Sequence, residues 1–337
     1  MMKVLVTGAT GYLAGHCVAE LLTEGYAVRG TVRDPRTAEV AHLRALAERT
    51  GGELEFAAAD LTSDAGWAEA VDGCTYVLHV ASPFPSRIPS DENEVIRPAV
   101  DGTLRVLKAA RFSGTVRRVV LTSSGAAVHF GHDAPGHVFT EDDWTDVNQA
   151  GPYPKSKTLA EQAAWDFARE TGLELVALQP GTILGPLLHP DARTSVELIR
   201  RIMRGGLPAL PTIGWNIVDV RDLARLHRLA METPEAAGNR YIAGDRFLWA
   251  RGIASVLAER YRPRGYRIGT AAMPYWLTWA IARFDPSVRL ALTFWGRQDL
   301  TTAAKAEEEL GWTNRPPEDS VIDTAESLIQ LDLVARR

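Results

Sequence analysis

Cysteine is scarce in this sequence, since the 337 residues include only Cys17 and Cys74. Two cysteines outside a CxxC motif cannot build a disulfide framework, so we expect reduced thiols and a cytoplasmic location. Long apolar runs are also missing. Residues 268–282 are interrupted by Gly269 and Pro274 and fall short of the roughly 20 residues that a membrane-spanning helix needs. The sequence therefore predicts a protein that neither crosses a membrane nor depends on disulfides.

An excess of positive charge is absent as well, because the net charge is −5. Sequence-independent nucleic-acid binding requires a basic surface, so we expect no nucleic-acid partner. Residues 1–11 run straight into a strand-and-glycine pattern without the apolar core and cleavage site of a signal peptide, and export is not expected. With 46% apolar and 23% charged residues, the composition is that of a globular chain with room for about two domains.

Strand-like and helix-like segments alternate along the first 180 residues. The strand-like runs are apolar and rich in β-branched residues, as in strands that are covered on both faces. They occupy residues 3–7, 28–33, 54–59, 76–81, 118–123 and 173–179. The helix-like segments occupy residues 13–23, 38–49, 63–71, 94–110 and 156–170. This alternation predicts an α/β fold built on a doubly wound parallel sheet of the Rossmann type.

Beyond Pro180, proline and glycine become frequent, and most of the nine tryptophans lie in this part of the chain. The readable elements there are a strand at 216–220, a helix at 222–232 and a strand at 240–243. We expect residues 1–180 to form the sheet domain, with 216–244 returning to it. Residues 181–215 and 245–337 are expected to form a smaller C-terminal region that binds the substrate.

The first strand–helix junction carries Gly8, Gly11 and Ala14 at the spacing GxxGxxA. Glycine lets the backbone approach a pyrophosphate, whose charge the N-terminus of the following helix stabilises. A tight turn between strand and helix is the simplest alternative for such a cluster. Its position after the first strand and before an amphipathic helix favours dinucleotide binding.

A YxxxK motif places Tyr153 and Lys157 four residues apart, on one face of a helix. An ammonium near a phenol favours the phenolate and lowers the tyrosine pKa, which suits proton exchange near neutral pH. The alternative is an exposed tyrosine and an exposed lysine that share this spacing by chance. Pro152 and Pro154 predict that Tyr153 lies at the helix entrance, with Pro154 in the first turn.

The strand at 118–123 ends in hydroxyl residues, and Ser124 follows Ser123 directly. The carboxyl ends of parallel strands face the ligand crevice of such a sheet. A serine there can donate a hydrogen bond to a substrate oxygen on which negative charge develops. The alternative for either serine is a turn or a helix cap.

In this order and at these distances, the three motifs resemble the extended short-chain dehydrogenase/reductase family over essentially the whole chain. The similarity is closest to the branch of dihydroflavonol 4-reductases, cinnamoyl-CoA reductases and NADPH-dependent aldehyde and ketone reductases. The segments behind this finer resemblance are residues 31–35 (TVRDP), 79–83 (HVASP), 93–96 (NEVI), 116–118 (VRR) and 156–165 (SKTLAEQAAW). The resemblance implies a carbonyl reductase, reversible as an alcohol dehydrogenase, that acts on a small molecule as a monomer or homodimer.

The resemblance also implies roles for individual residues. Tyr153 would donate a proton to the carbonyl oxygen, and Lys157 would lower its pKa and hold the nicotinamide ribose. Ser124 would orient and polarise the carbonyl, with Ser123 as the alternative if the register is off by one. The cofactor-binding residues implied in the same way are Gly8, Thr10, Gly11, Tyr12, Leu13, Arg33, Asp60, Leu61, Val80, Ala81, Ser82, Tyr153, Lys157, Pro180 and Ile183.

Arg33 and Asp34 argue in opposite directions about the coenzyme. An acidic residue at the end of the second strand accepts hydrogen bonds from the ribose of NAD, whereas a guanidinium binds the 2′-phosphate of NADP. Pro35 gives Asp34 an ordinary role, because Asp-Pro commonly begins a turn. We therefore expect Arg33 to bind the phosphate and NADP(H) to be preferred over NAD(H).

His129, His132 and His137 invite a metal interpretation, but they lie in a loop with glycine and proline, and unliganded histidines are expected. His129 also falls where plant dihydroflavonol reductases usually carry asparagine, which argues against a flavonoid substrate. Aromatic residues of the C-terminal region, including Trp215 and Trp249, indicate a bulky, largely apolar or aromatic carbonyl compound. The alternative for these tryptophans is that they fill the core.

Other functions on the same fold remain open. The chain could be a nucleotide-sugar epimerase-type or 3β-hydroxysteroid dehydrogenase-type member of the family, although related dehydratases carry an Asp-Glu pair where Gly125 and Ala126 follow Ser124 here. It could also be a non-catalytic regulator that senses the cofactor. Such regulators tend to lose the tyrosine or lysine, and the presence of Tyr153 and Lys157 favours an enzyme.

Overall fold

The strands and helices of the chain follow the alternation expected from the sequence. The computed structural model describes residues 1–82, 91–190, 195–284, 292 and 294–335, so Pro83 of the HVASP segment lies outside the described residues. The strands are β1 Lys3–Val6, β2 Ala27–Val32, β3 Leu54–Ala58, β4 Tyr76–His79, β5 Arg118–Thr122, β6 Val138–Phe139, β7 Glu174–Pro180, β8 Thr182–Leu184, β9 Ala209–Leu210, β10 Gly214–Asp219, β11 Arg240–Ala243, β12 Arg246–Trp249, β13 Ala271–Ala272 and β14 Leu300–Thr301. The helices are α1 Tyr12–Thr23, α2 Ala41–Thr50, α3 Trp67–Val71, α4 Asn93–Phe112, α5 Pro152–Thr171, α6 Val196–Met203, α7 Val220–Glu232, α8 Ala250–Tyr261, α9 Tyr275–Ile281, α10 Ala304–Leu310 and α11 Pro317–Gln330.

A seven-stranded sheet in the order β3-β2-β1-β4-β5-β7-β11 organises the fold, and every neighbouring pair in it is parallel. The strand order reverses between β1 and β4, which opens a crevice at the carboxyl ends of these strands. Val4, Leu5 and Val6 of β1 are fully buried, because helices cover both faces of the sheet. The predicted α/β fold with a doubly wound parallel sheet is confirmed.

The helices form one apolar layer on each face of the sheet. Val4 and Val6 belong to a core cluster that includes Leu223 of α7 and residues of α1. Leu5 belongs to a second cluster, which includes Ala164 of α5 and residues of α3 and α4. Successive side chains of a strand point to opposite faces, so β1 contributes to both layers in turn.

Several helices begin at residues that differ from the sequence prediction, and the largest differences are those of α3 and α5. α3 begins at Trp67 and not at residue 63, because a turn precedes it in which the Trp67 indole donates hydrogen bonds to the carbonyls of Asp60 and Ser63. α5 begins at Pro152, four residues before the predicted start. Pro152 and Pro154 fit the first turn, where backbone amides need no partner within the helix, and the tyrosine between them lies at the helix entrance as predicted.

Three small sheets complete the fold outside the main sheet, namely β12-β10-β8, β13-β9 and β14-β6. α6, α8 and α11 pack around a separate apolar core that includes Ile199, Leu257 and Leu328. β10 pairs with β8 and β12, whereas β11 joins the main sheet beside β7. The expected division into a sheet domain and a substrate-binding region stays a prediction.

A single residue, Gly181, separates β7 of the main sheet from β8 of the small sheet. Its amide donates a hydrogen bond to the carbonyl of Ala243 at 2.7 Å. A Cβ atom at this position would lie 2.4 Å from the carbonyl oxygen of Asn216, which is closer than real contacts allow. The close approach of these backbones therefore requires glycine here.

The tryptophans after residue 180 occupy different environments. Trp312 is fully buried, and its indole donates a hydrogen bond to the carbonyl of Asp222 at 2.7 Å. Trp276 and Trp279 on α9 are exposed to solvent. Neither α9 nor any other helix in the described ranges has the length and apolar character needed to cross a membrane.

Candidate active site

A cavity of about 1310 Å³ opens at the carboxyl ends of the parallel strands. Every residue that the sequence analysis assigned to catalysis or cofactor binding lines this cavity. These residues are Gly8, Thr10, Gly11, Tyr12, Leu13, Arg33, Asp60, Leu61, Val80, Ala81, Ser82, Ser124, Tyr153, Lys157, Pro180 and Ile183. The fold therefore brings the three sequence motifs to one place, although they lie far apart along the chain.

The turn after β1 brings its backbone close to the neighbouring strand ends. Gly8 has a φ of +66°, and a Cβ atom on it would lie 2.9 Å from Cβ of Ala81. The Gly8 amide donates a hydrogen bond to Thr31 Oγ1, and the Ala81 amide donates one to Thr7 Oγ1, both at 2.9 Å. α1 starts directly after this turn, with Gly11 as its N-cap. The wall of the cavity thus combines exposed backbone with a helix N-terminus, an arrangement that attracts phosphate.

Ser123 and Ser124 have different partners. The Ser124 side chain accepts a hydrogen bond from the amide of Ala126 at 3.1 Å and is hydrogen bonded to the phenol of Tyr153. Ser123 donates its hydroxyl hydrogen bond to the buried carboxylate of Glu161. The structure therefore brings Ser124, and not Ser123, to Tyr153.

Tyr153 lies at the start of α5 with its phenol facing Ser124. Burial raises the pKa of Tyr153 above its usual value, whereas the hydrogen bond with Ser124 lowers it, because donation to the phenol oxygen stabilises the phenolate. Since burial is the larger effect, the phenol is protonated at neutral pH. A protonated phenol is the form that can donate a proton.

Lys157 lies one helical turn after Tyr153, and 9% of the residue is exposed. Its ammonium donates a hydrogen bond to Ser82 Oγ at 2.8 Å, which links α5 to the segment after β4. Burial lowers the pKa of Lys157 to about 8, and the carboxylate of Glu161 acts in the opposite direction. The idea that Lys157 lowers the pKa of Tyr153 stays a prediction.

Arg33 and Asp34 differ in their relation to the cavity. The exposed side chain of Arg33 lies at the wall, and no hydrogen bond or ion pair joins its guanidinium to another of the described residues. Asp34 does not line the cavity and accepts hydrogen bonds from Arg36. Asp60 lines the same end of the cavity, and its pKa is lowered by hydrogen bonds from Thr62 and, to a smaller extent, by the charge of Arg33.

These features fit a nicotinamide dinucleotide. The turn at Gly8 has no room for a side chain between its backbone and Ala81, so glycine backbone forms this part of the cavity wall. The N-terminus of α1 adds a positive partial charge to the same wall, and Arg33, which also lines the cavity, adds a full positive charge. A pyrophosphate and a further phosphate are the groups that such donors bind best.

Aromatic side chains also line the cavity, and most of them were not singled out from the sequence. They are Phe130, Trp215, Phe247 and Phe294. Trp215 lines the cavity as expected, whereas Trp249 does not and instead packs edge-on against Phe247 at 4.9 Å between ring centres. Phe130 and Phe294 also meet edge to face, at 5.5 Å. Their presence in the same cavity depends on tertiary packing, so no local sequence pattern reveals it.

A small charged cluster of His129, Arg297 and Asp299 lines the same cavity. His129 Nδ1 lies 3.4 Å from Asp299 Oδ2, and Arg297 donates a hydrogen bond to Asp299 Oδ1 at 3.1 Å. Burial raises the pKa of Asp299, but His129 and Arg297 outweigh that effect and hold it below its usual value. His129 was noted in the sequence, but its partner Asp299 was missed. The two residues lie about 170 positions apart along the chain and meet only in the folded structure.

The other two histidines of this loop have structural partners. His132 donates a hydrogen bond from Nε2 to the carbonyl of Trp144 at 2.8 Å, and His137 Nε2 lies 3.2 Å from a carboxylate oxygen of Asp143. Within the part of the chain that the structure describes, no group of three or more His, Cys, Asp or Glu residues is arranged to hold a metal ion.

Comparison with known proteins gives consistent matches over most of the chain. Residues 4–244 match the model of the NAD dependent epimerase/dehydratase family. Tetraketide alpha-pyrone reductase 1 from Arabidopsis thaliana is 39% identical over 266 residues, which cover 77% of this chain and 81% of the relative. Dihydroflavonol 4-reductase from Zea mays is 36% identical over 268 residues, which cover 77% of this chain and 74% of the relative.

The fold is also found in a solved structure with a bound cofactor. Yeast methylglyoxal/isovaleraldehyde reductase Gre2, complexed with NADPH, aligns with a TM-score of 0.80 and 26% identity over 99% of this chain and 100% of that chain. All three proteins are reductases by name, which confirms the predicted class of NAD(P)-dependent oxidoreductase. The chain therefore belongs to the NAD dependent epimerase/dehydratase family, and the resemblance to extended short-chain dehydrogenases/reductases is confirmed.

Proposed function

We propose that this chain is an NADPH-dependent reductase of a bulky, largely apolar or aromatic ketone or aldehyde, and that it also oxidises the corresponding alcohol. The observation that carries the proposal is the hydrogen bond between Ser124 and Tyr153, with Lys157 one turn further along α5 in the same cavity. A protonated phenol beside a serine hydroxyl offers two donors to one carbonyl oxygen.

Each of the three side chains has a distinct task in this reaction. Tyr153 donates its phenol proton to the carbonyl oxygen as negative charge develops there. Ser124 donates a hydrogen bond to the same oxygen and so fixes the direction of the carbonyl. Lys157 contributes a positive charge that stabilises the resulting phenolate until the proton is replaced. NADPH, when bound, supplies the hydride that reduces the carbonyl carbon.

The cavity residues divide among the parts of the cofactor. The turn at Gly8 and the N-terminus of α1 would hold the pyrophosphate, and Asp60 with the segment after β3 would meet the adenine. Lys157 would hold the nicotinamide ribose, and residues 180–183 would contact the nicotinamide amide. Arg33 would bind the 2′-phosphate, and this residue supports a preference for NADP(H), because Asp34 already has Arg36 as its partner.

The aromatic residues that line the cavity support the proposed substrate class. Trp215, Phe247 and Phe294 offer wide apolar surfaces that favour rings or long chains over small charged acids. The relatives reduce compounds of several sizes by name, from methylglyoxal to dihydroflavonol. His129, Arg297 and Asp299 line the same cavity and would offer a partner to one polar group on an otherwise apolar compound.

The direct test is NADPH oxidation by the purified chain with a panel of aryl ketones, long-chain aldehydes and small 2-oxo acids. We expect turnover with the aryl and long-chain compounds and little with the acids. Better reduction of the acids would contradict the substrate class. Tight NADPH binding without turnover on any carbonyl would favour a regulator, and turnover of nucleotide sugars would favour an epimerase.

A further inference from the structure

Glu161 carries a buried carboxylate beside the active site, one helical turn after Lys157 on α5. Only 1% of the residue is exposed. Its two oxygens accept hydrogen bonds from Ser123 Oγ, from Trp165 Nε1 at 3.2 Å, from Gln179 Nε2 at 2.8 Å and from Arg240 Nε at 2.7 Å. A carboxylate is costly to bury unless it is paired and hydrogen bonded, and this one is both.

Two of the four donors belong to strand ends that form the active-site wall. Ser123 directly precedes Ser124 at the end of β5, and Gln179 directly precedes Pro180 at the end of β7. Both donors line the cavity. One acceptor on α5 therefore holds two adjacent strand ends, and Glu161 connects them to the helix that carries the proton donor.

Arg240 supplies the opposite charge from β11, the neighbour of β7 in the sheet. Its guanidinium also donates hydrogen bonds to the carbonyls of Glu141 and Asp143 and lies over the ring of Trp144 at 3.7 Å. A buried ion pair adds little stability compared with apolar residues that fill the same space. Stability alone does not account for it, whereas the need to accept hydrogen bonds from two strand ends does.

We propose that Glu161 is a positioning residue of the reaction, which fixes Ser124 relative to Tyr153 by holding the ends of β5 and β7 against α5. It touches neither the carbonyl nor the reacting atoms. The inference rests on the function proposed above, because it assigns Glu161 a part in that reaction. The expected signature is a loss of kcat at nearly unchanged affinity for NADPH, since misplacement of reacting groups by about 1 Å can lower rates about 100-fold.

The charge of Glu161 gives a second signature through Lys157. Burial lowers the pKa of Lys157 to about 8, and the Glu161 carboxylate raises it. The titratable group that faces Lys157 from the sheet is His79 on β4, whose pKa burial lowers to about 3, so that it is neutral at working pH. Loss of the Glu161 charge therefore lowers the Lys157 pKa further, and the alkaline decline in kcat/KM moves to lower pH.

Three single variants and the double variant Ser123→Ala/Glu161→Gln test the proposal in the full chain. Glu161→Gln keeps the shape of the side chain and removes its charge, and Ser123→Ala removes the hydrogen bond at the end of β5 alone. Trp165→Phe is the matched control, because Trp165 donates to the same carboxylate but does not line the cavity. For each variant, kcat, KM and their pH dependence are measured with NADPH affinity by fluorescence titration and with thermal unfolding.

We expect Glu161→Gln to lower kcat about 10- to 100-fold and to shift the alkaline decline to lower pH. Ser123→Ala is expected to lower kcat about tenfold, at the lower end of the range for Glu161→Gln, because it removes only one of the hydrogen bonds to the carboxylate. The double variant is expected to be no worse than Glu161→Gln alone, because Ser123 acts through Glu161. Trp165→Phe keeps the parental kcat and pH profile.

Several outcomes would overturn the inference while the parent remains an active reductase. Parental kcat in Glu161→Gln would do so, and so would equal losses in Ser123→Ala and Trp165→Phe. Additive losses in the double variant would assign Ser123 a direct contact with the carbonyl. If Glu161→Gln does not fold, the same single and double variants are made with Glu161→Asp in its place, which keeps the charge beside Arg240. A parent without carbonyl reduction contradicts the proposed function itself, and that result is read before any variant.

Discussion

Asp34 is held by Arg36, two residues further along the chain, and not by the cavity. The Arg36 amide donates a hydrogen bond to Asp34 Oδ1 at 2.9 Å, and its guanidinium donates to both carboxylate oxygens at 3.2 Å. These bonds hold the pKa of Asp34 below its usual value, so the carboxylate is charged and engaged in its own turn. The neighbouring Arg33 is left to face the cavity.

Replacement of Arg33 tests which of the two neighbours reads the coenzyme. We expect Arg33→Ala to weaken NADPH binding about 10- to 150-fold, because a charge-assisted hydrogen bond is worth about 1.5–3 kcal/mol. The affinity for NADH is expected to stay nearly unchanged. Asp34→Asn is the control and should alter neither affinity much. Equal losses of affinity for NADPH and NADH in Arg33→Ala, or a parent that prefers NADH, would indicate that Asp34 and not Arg33 binds the ribose that distinguishes the two coenzymes.

The proton donor is tested by Tyr153→Phe. The ring still packs in the same place while the acid is lost, so turnover is expected to fall about 10²- to 10⁴-fold with NADPH affinity kept. Tyr26→Phe is the matched control, because its hydroxyl bonds Glu232 outside the cavity. A Tyr153→Phe variant within a few-fold of the parent would refute the assignment.

The pH dependence of carbonyl reduction is expected to follow Lys157. Since burial lowers its pKa to about 8, the ammonium is present below that pH and is lost as the pH rises through it. We therefore expect kcat/KM to decline above about pH 8 in the parent. Lys157→Arg keeps a positive charge at every working pH and should lower the rate without that decline. A parental profile that is flat through this range would contradict the prediction.

The turn at Gly8 is expected to reject any side chain. Gly8→Ala places a Cβ atom 2.9 Å from Cβ of Ala81 at a φ of +66°, and it should weaken NADPH binding as well as stability. Gly25→Ala serves as the control, because its φ is +81° but nothing lies within 4 Å of the added atom. We expect about 1–2 kcal/mol of destabilisation at Gly25 and about 1–3 kcal/mol more at Gly8. If Gly8→Ala and Gly25→Ala had equal effects on thermal unfolding and on NADPH affinity, a close contact between the Gly8 turn and Ala81 would be ruled out.

Trp215 is expected to bind the apolar part of the substrate. Trp215→Ala should raise KM for an aryl ketone roughly 3- to 10-fold, in line with about 0.5–1.5 kcal/mol for an aromatic contact. Trp276→Ala is the control, because this residue is 68% exposed on α9 and does not line the cavity. An unchanged KM in Trp215→Ala would place the substrate elsewhere.

The sequence was sufficient to predict the parallel sheet and to predict that the three motifs meet at its carboxyl edge. The runs at β1 and β5 are apolar on both faces, which only strands under two helical layers require, and the glycine turn fixes where α1 begins. The start of α3 was missed. The hydrogen bonds from the Trp67 indole to the carbonyls of Asp60 and Ser63 close a turn before the helix, and the order of these residues does not reveal that turn.

The surroundings of the motifs could not be predicted in the same way. Glu161 stands inside the quoted segment SKTLAEQAAW, yet nothing local distinguishes it from an exposed helix residue. Its partners at 123, 179 and 240 come together only because β5, β7 and β11 are adjacent in the sheet. The contact of His129 with Asp299 has the same origin, since it joins two loops that meet only in the folded chain.

The junction at Gly181 has a consequence for recombining this chain with its relatives. Because one residue joins β7 of the main sheet to β8 of the small sheet, Pro180 and Thr182, which both line the cavity, are adjacent to this junction. A chimera that exchanges the small sheet β12-β10-β8 for that of another reductase can therefore be joined at Gly181. The donor sequence must supply glycine at position 181. It must also supply its own counterpart of Asn216, so the transplanted segment includes both β8 and β10.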